Sequence, residues 1–156
     1  MKNSVLIKLN KHCIQGTEEK APVILQTALL CSVTNTVAKA INLKTSKVHV
    51  TTKMLKHLYD SKPAEEYEFV LRNMVQIVRF PDFIYKNKKE KRGQYCFVKK
   101  IKNHSYFCSI ETTQTANLVE EVEDINFVAT AFRIRKENYL QGYKLLWSRK
   151  GDLPSS

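Results

Sequence analysis

Acidic residues are scarce in this chain: 15 Asp and Glu stand against 26 Lys and Arg in 156 residues, a formal net charge of +11. That imbalance favours an anionic partner, nucleic acid first and an acidic membrane surface second. Metal-binding patterns are missing too. Cys13, Cys31, Cys96 and Cys108 form no Cys-x-x-Cys pair, and no His stands at zinc spacing, which argues against a metal site. There is no phosphate-loop motif, nucleophile elbow or internal repeat, and no cofactor is expected. The opening Met-Lys-Asn-Ser-Val-Leu-Ile-Lys is too short and polar for a secretion signal, so four reduced thiols in a cytoplasmic protein are expected. The uncharged run Ala21–Ala38 includes Gln26, Thr27, Ser32, Thr34, Asn35 and Thr36, which hydrocarbon would not solvate. It reads as a buried or partner-covered helix, with no membrane contact.

What is present is enough for one domain with a sizeable core. Hydrophobic content of 43% and charged content of 26% fit a folded globular chain. The positive charge is concentrated. Lys86–Lys102 holds eight basic residues and one acid, Glu90, so it carries +7 of the +11. A packed core has no use for that density, whereas a polyanion releases counterions when its phosphates are neutralised.

The first 47 residues read as an extension packed on the core: a short strand at Val5–Leu9, then a helix from Pro22 to about Ile41. Residues 48–151 form the main domain, and 152–156 a disordered tail. Val48-His49-Val50 is extended. Thr51 caps a short helix from Thr52 to about Asp60. Pro63 with Glu65 and Glu66 starts a second helix, striped by Tyr67, Val70, Leu71, Met74, Ile77 and Val78 and ended by Pro81. β-structure follows: Phe83–Tyr85, a hairpin of Gln94–Ile101 with Ser105–Thr112, the acidic connection Asn117–Asp124, Asn126–Arg135, a helical turn at Lys136–Gln141, and Tyr143–Trp147. This order predicts an α+β fold, with N-terminal helices on one face of a mostly antiparallel sheet of four to five strands.

Any chemistry must then come from scattered side chains. RNA permits this, because its 2′-hydroxyl can attack the adjacent phosphate given a base, cations and an acid. His57 is the leading acid or base. It lies about 100° around the helix from the Met54/Leu55/Leu58 side, at a boundary position. Strand alternation groups Tyr95, Phe97 and Lys99 on one face, and Arg133 and Arg135 on one face of a later strand. If these share the open side of the sheet, aromatics stack bases while cations take phosphates. Lys86, Lys88, Lys89, Lys91 and Arg92 read as an electrostatic guide.

The segment VTTKMLKHLYDSKPAEEYEFVLRNMVQIVRFPDFIY and the ending NFVATAFRIRKENYLQGYKLLWSRKG resemble the phage and mobile-element branch of the barnase–EndoU–colicin–RelE-like (BECR) nuclease superfamily. The matches are Lys56-His57-Leu58, Pro81-Asp82, the Gln94–Thr112 hairpin and Val128-Ala129-Thr130-Ala131-Phe132, within roughly Val48–Gly151. Members often carry a second His before the proline of the second helix; here Lys62 stands there and counts among the RNA-binding cations. The signature aromatic, often Tyr, is Phe132. The resemblance implies metal-independent RNA cleavage with His57, Thr130, Lys99 and Arg133 as catalytic residues, and an inhibitor or antitoxin protein as partner. The RNA could be transfer RNA or ribosome-bound message. The residues also fit a non-catalytic RNA- or ribosome-binding module, or a protein-interaction domain that uses Ala21–Ala38.

Overall fold

A computed structural model of the chain describes residues 4–88, 93–116 and 122–150. The elements run in the order α1 (Ser4–Leu9), a π-helical turn (Asn10–Ile14), β1 (Thr27–Ser32), α2 (Asn35–Ala40), β2 (Lys47–Thr51), α3 (Thr52–Ser61), α4 (Ala64–Arg79), β3 (Phe83–Lys86), β4 (Tyr95–Ile101), β5 (His104–Ala116), β6 (Val122–Ile134) and β7 (Lys144–Ser148). The class is α+β.

The sheet corrects the expected four to five strands. It has seven, in the order β1-β2-β6-β5-β4-β3-β7. It is mixed, because β2 runs parallel to β6 through Val48 and His49, opposite Asn126 and Phe127. The additional strand β1 comes from the N-terminal segment.

That segment departs from expectation twice. Val5–Leu9 lies in a helix, where Leu6 and Leu9 point inward together, as i and i+3 do on a helix but not on a strand. The long helix from Pro22 is instead a strand, a break and a short helix. Thr27–Ser32 pairs with Lys47–Thr51, and Thr34, in an extended conformation, accepts the Val37 N–H at 3.3 Å and starts α2 afresh. Long-range pairing overrides the local apolar period here. Leu6, Ile14, Val33, Val37 and Ile41 share one apolar cluster with Leu55, Leu58, Met74 and Ile77. The N-terminal residues therefore complete the core beneath α3 and α4.

Local signals hold well further on. Thr51 accepts the Met54 N–H at 3.1 Å and caps α3. Pro63 precedes α4, with Glu65 and Glu66 in its first turn beside the positive helix end. The β4–β5 hairpin turns at Lys102-Asn103, with Lys102 at φ 51°. Gly93, at φ +97°, enters β4 where an added Cβ would meet the Ile110 carbonyl oxygen at 2.8 Å. Part of the expected acidic connection and the 152–156 tail lie outside the described residues.

The faces of the sheet are arranged differently from the expectation. Directly opposed residues share a face. Phe97 opposes Cys108 and Lys99 opposes Tyr106, so Tyr95, Phe97 and Lys99 lie on the helix-covered side, not an open one. The other side carries Phe83, Cys96, Val98, Phe107, Phe132 and Leu145, and it too is covered, by Tyr139, Leu140 and Tyr143. A bulge separates the two sets on β6: Ser109 opposes Thr130, but Ile110 opposes Val128.

Candidate nucleic-acid interface

α3 follows β2 and packs beside β6. Its Met54, Leu55 and Leu58 are buried, leaving Lys53, His57 and Ser61 on an exposed stripe at i, i+4 and i+8. The N-terminal segment pins the opposite side. The Lys56 ammonium, almost fully buried, donates to Asp60 at 2.8 Å, Thr17 at 2.7 Å and the Glu18 carbonyl at 2.6 Å. That hydrogen bond from Lys56 holds the Asp60 carboxyl below the usual carboxylate range, with the Lys20 backbone N–H adding to it. The His57 imidazole makes no hydrogen bond with the described residues; its backbone carbonyl accepts from Ser61 Oγ at 2.7 Å. A rigid helix therefore presents a free imidazole to solvent.

The other catalytic candidates do not gather around it on one face. Lys99 and Arg133 do share a cross-strand row, with Tyr106 between them. Burial pushes the Tyr106 phenol up, and the Arg133 charge beside it opposes the shift. Lys99, however, donates to the Phe80 carbonyl at 2.8 Å and lies 4.0 Å from Asp82; it caps the end of α4. Thr130 is 7% exposed and opposes Ser109 on the other side of the sheet. The structure thus places Thr130 apart from the Lys99–Arg133 row.

The binding candidates divide as well. Phe97 is 0% exposed and sits in the core, so it offers no face to a base. Tyr95 is half-buried, and its hydroxyl donates to the Ile41 carbonyl at 3.0 Å. Both are structural, because the face they occupy is the helix-packed one. Arg135 pairs with Glu66. Lys86 is exposed at the end of β3. Lys89, Lys91 and Arg92 lie outside the described residues.

Lys62 and Lys88 have a different setting. The second face of the sheet carries an aromatic cluster. Phe107 and Phe132 stack at 4.5 Å, and Tyr139 meets both edge-on at 5.8 and 5.6 Å. Tyr143 stacks on Tyr139 at 6.0 Å. Burial, then Tyr139, pushes the Tyr143 phenol up to about 12. Lys62 lies over the Phe132 ring at 5.2 Å and Lys88 over the Tyr143 ring at 5.3 Å. Lys88 also donates to the Gln141 carbonyl at 3.0 Å. Tyr139 and Tyr143 are not foreseen from composition or alternation; their only sequence signal is the i, i+4 aromatic pair in the turn before β7.

A recess of about 680 Å³ opens between the N-terminal segment, α3 and α4. Its wall includes Glu19, Asp60 and Glu68 against Lys62, an unfavourable balance for a polyanion. A smaller recess lies at the far end of β6, beside Arg133 and Arg135. Among the described residues no group of three or more His, Cys, Asp or Glu is placed to hold a metal ion, and no helix is long and apolar enough to cross a membrane.

No family model matches the chain, and no curated protein or solved structure matches it either.

Proposed function

We propose that this chain binds RNA across the aromatic cluster of its second sheet face and cleaves it without a metal, through His57, as a nuclease of the toxin or phage-conflict kind. The single observation that carries the binding reading is the pair of lysines, Lys62 and Lys88, seated over Phe132 and Tyr143 at two ends of one aromatic cluster. Lys88 lies in the Lys86–Lys102 run that contributes most of the chain's net positive charge. Ammonium groups beside aromatic surface suit phosphate and base together.

Cleavage is supported by the resemblance to the BECR nucleases and by the free, exposed imidazole of His57. In the proposed step the 2′-oxygen bonds to phosphorus and the phosphorus–O5′ bond breaks. His57 takes the 2′ proton, and the departing 5′-oxygen is protonated from an ammonium group or water. The products are a 2′,3′-cyclic phosphate and a 5′-hydroxyl. Lys99 has no part in this version, because its ammonium is committed to the Phe80 carbonyl.

The test is digestion of RNA in EDTA with analysis of the ends. Cyclic phosphate ends that disappear in His57→Ala support cleavage. Undiminished cleavage by that variant, or none by pure wild-type protein, overturns it.

A second reading has its own observation. Thr130 lies on the opposite face from Lys99 and Arg133, which favours a non-catalytic RNA- or ribosome-binding module. It requires salt-sensitive binding that His57→Ala leaves intact, with no cleavage.

A further inference from the structure

Arg133 stands in the wall of a recess without an acid partner among the described residues. Among the described residues its guanidinium enters no ion pair, and its Nε–H is buried without an acceptor. Such a donor is costly while unmet. The recess, about 380 Å³, lies where the β4–β5 turn meets the end of β6, and Asn103, His104, Arg133, Arg135, Lys136 and Glu137 line it. It therefore has three permanent cations and one acid.

The two arginines are held differently. Arg135 is fixed by Glu66, which spends most of its charge but sets its position. Arg133 is fixed through its backbone, whose N–H donates to the same Glu66 carboxylate at 3.3 Å, while its head group has no such tie. Lys136 and His104 are exposed, and their side chains make no hydrogen bond or ion pair with the described residues. The wall thus combines a positioned arginine, an uncommitted one, an uncommitted lysine and an imidazole. Ile134 and Leu140 complete it with apolar surface.

We infer that this recess binds a phosphate monoester, the terminal phosphate of a nucleotide or of an RNA end. A tetrahedral dianion accepts from a guanidinium fork and an ammonium together, and it matches the surplus of cations better than a single carboxylate would. Re-seating the Arg133 head group on that ligand supplies the acceptor its Nε lacks. The volume falls at the small end of the range for ligand sites, suited to a phosphate with part of a nucleoside against Leu140. The inference rests on the RNA reading only for one possible source of the phosphate. His57 is not part of this site.

The experiment is titration of the full chain with inorganic phosphate, a nucleoside 5′-monophosphate, and one short RNA with and without a 5′-phosphate, followed by backbone amide NMR. Saturable shifts confined to residues 103–105 and 133–137, weakened at least about tenfold in Arg133→Met and partly restored in Arg133→Lys, are expected. Tighter binding of the phosphorylated RNA identifies an RNA end as the source; equal RNA binding with retained mononucleotide binding identifies a free nucleotide. Lys136→Met, an exposed substitution, decides the matter if Arg133→Met fails to fold. Overturning results are no saturable shift at these amides, or unchanged affinity in whichever of the two variants is folded. Because the probes need no cleavage, loss of this site alongside His57-dependent digestion would sink the inference alone. The reverse outcome would sink the nuclease reading alone.

Discussion

Glu66 accepts the backbone N–H of Arg133 at 3.3 Å, at a point on β6 beyond its short pairing with β2. The carboxylate comes from the first turn of α4, and its side chain is 5% exposed. One acid thus joins the start of a helix to a strand edge and also holds the Arg135 side chain. Arg135 is itself 55% exposed, so solvent screens that pair and it adds little stability. The buried acceptor matters more. Glu66→Ala leaves the strand N–H without this partner and is expected to cost about 1–3 kcal/mol. Glu66→Gln keeps an acceptor and should lose less. Urea unfolding of the two variants gives the order; equal losses would mean that charge, not the acceptor, is the active feature.

Asp60 should carry part of the chain's acid sensitivity. Its folded-state pKa lies below the ordinary 3.8, chiefly through the hydrogen bond from Lys56. The unfolded carboxyl therefore takes up a proton first as pH falls. The stabilising contribution is complete above the unfolded value and disappears as pH drops through the folded one. The difference in urea midpoint between wild type and Asp60→Asn should be largest near neutrality and shrink as pH falls below about 4. A difference that stays constant over that range would rule the linkage out.

The parts of the fold written in short signals are legible from residues alone. Thr51 before α3, and Pro63 with Glu65 and Glu66 at α4, act within a turn of themselves and need no distant partner. β1 is different. Nothing within Thr27–Ser32 distinguishes a strand from a buried helix, because its conformation is decided by pairing with Lys47–Thr51. The parallel contact of β2 with β6 is likewise set by residues nearly eighty positions apart. Alternation tells which residues of one strand share a face, not which face its neighbour shares. The two-residue turn at Lys102-Asn103 does tell this: counting back from it puts Lys99 opposite Tyr106 and Phe97 opposite Cys108, on the core side. With both faces covered by apolar residues, periodicity cannot choose an open one. His57 is legible as an exposed histidine because the helix around it is. Lys62 over Phe132 and Lys88 over Tyr143 are tertiary meetings without a local signature.

The thiols should differ sharply in reactivity. Burial pushes Cys31 up to about 11, with Arg79 opposing, and Cys96 up to about 12; Cys108 is raised further still. Cys96 and Cys108 are not opposed, since Cys96 faces Ser109 and Cys108 faces Phe97. They lie on opposite sides of the sheet. At pH 8 a thiol titrating near 11 is thiolate to the order of one part in a thousand. An aromatic disulfide reagent should therefore modify Cys13 first in the native protein and all four cysteines in urea. Cys13→Ser should remove the fast phase; a rapid phase that persists in that variant would mean that one of the sheet cysteines is open to solvent.

The lysines over the aromatic cluster should reveal themselves in salt dependence. Each phosphate neutralised on a single strand contributes about 0.7 to the slope of log affinity against log salt. Lys62→Ala and Lys88→Ala should each weaken single-stranded RNA binding and lower that slope by up to about one. Lys53→Ala, at an exposed lysine seated over no aromatic ring among the described residues, should change the slope less. The Lys88 contact with the Gln141 carbonyl complicates that variant alone, so its unfolding midpoint belongs beside its binding curve. The Lys62 ammonium makes no hydrogen bond with the described residues, and its variant reads the interface directly. If Lys62→Ala leaves both affinity and slope unchanged, RNA does not cross the Phe132 end of the cluster, and the proposed interface is wrong.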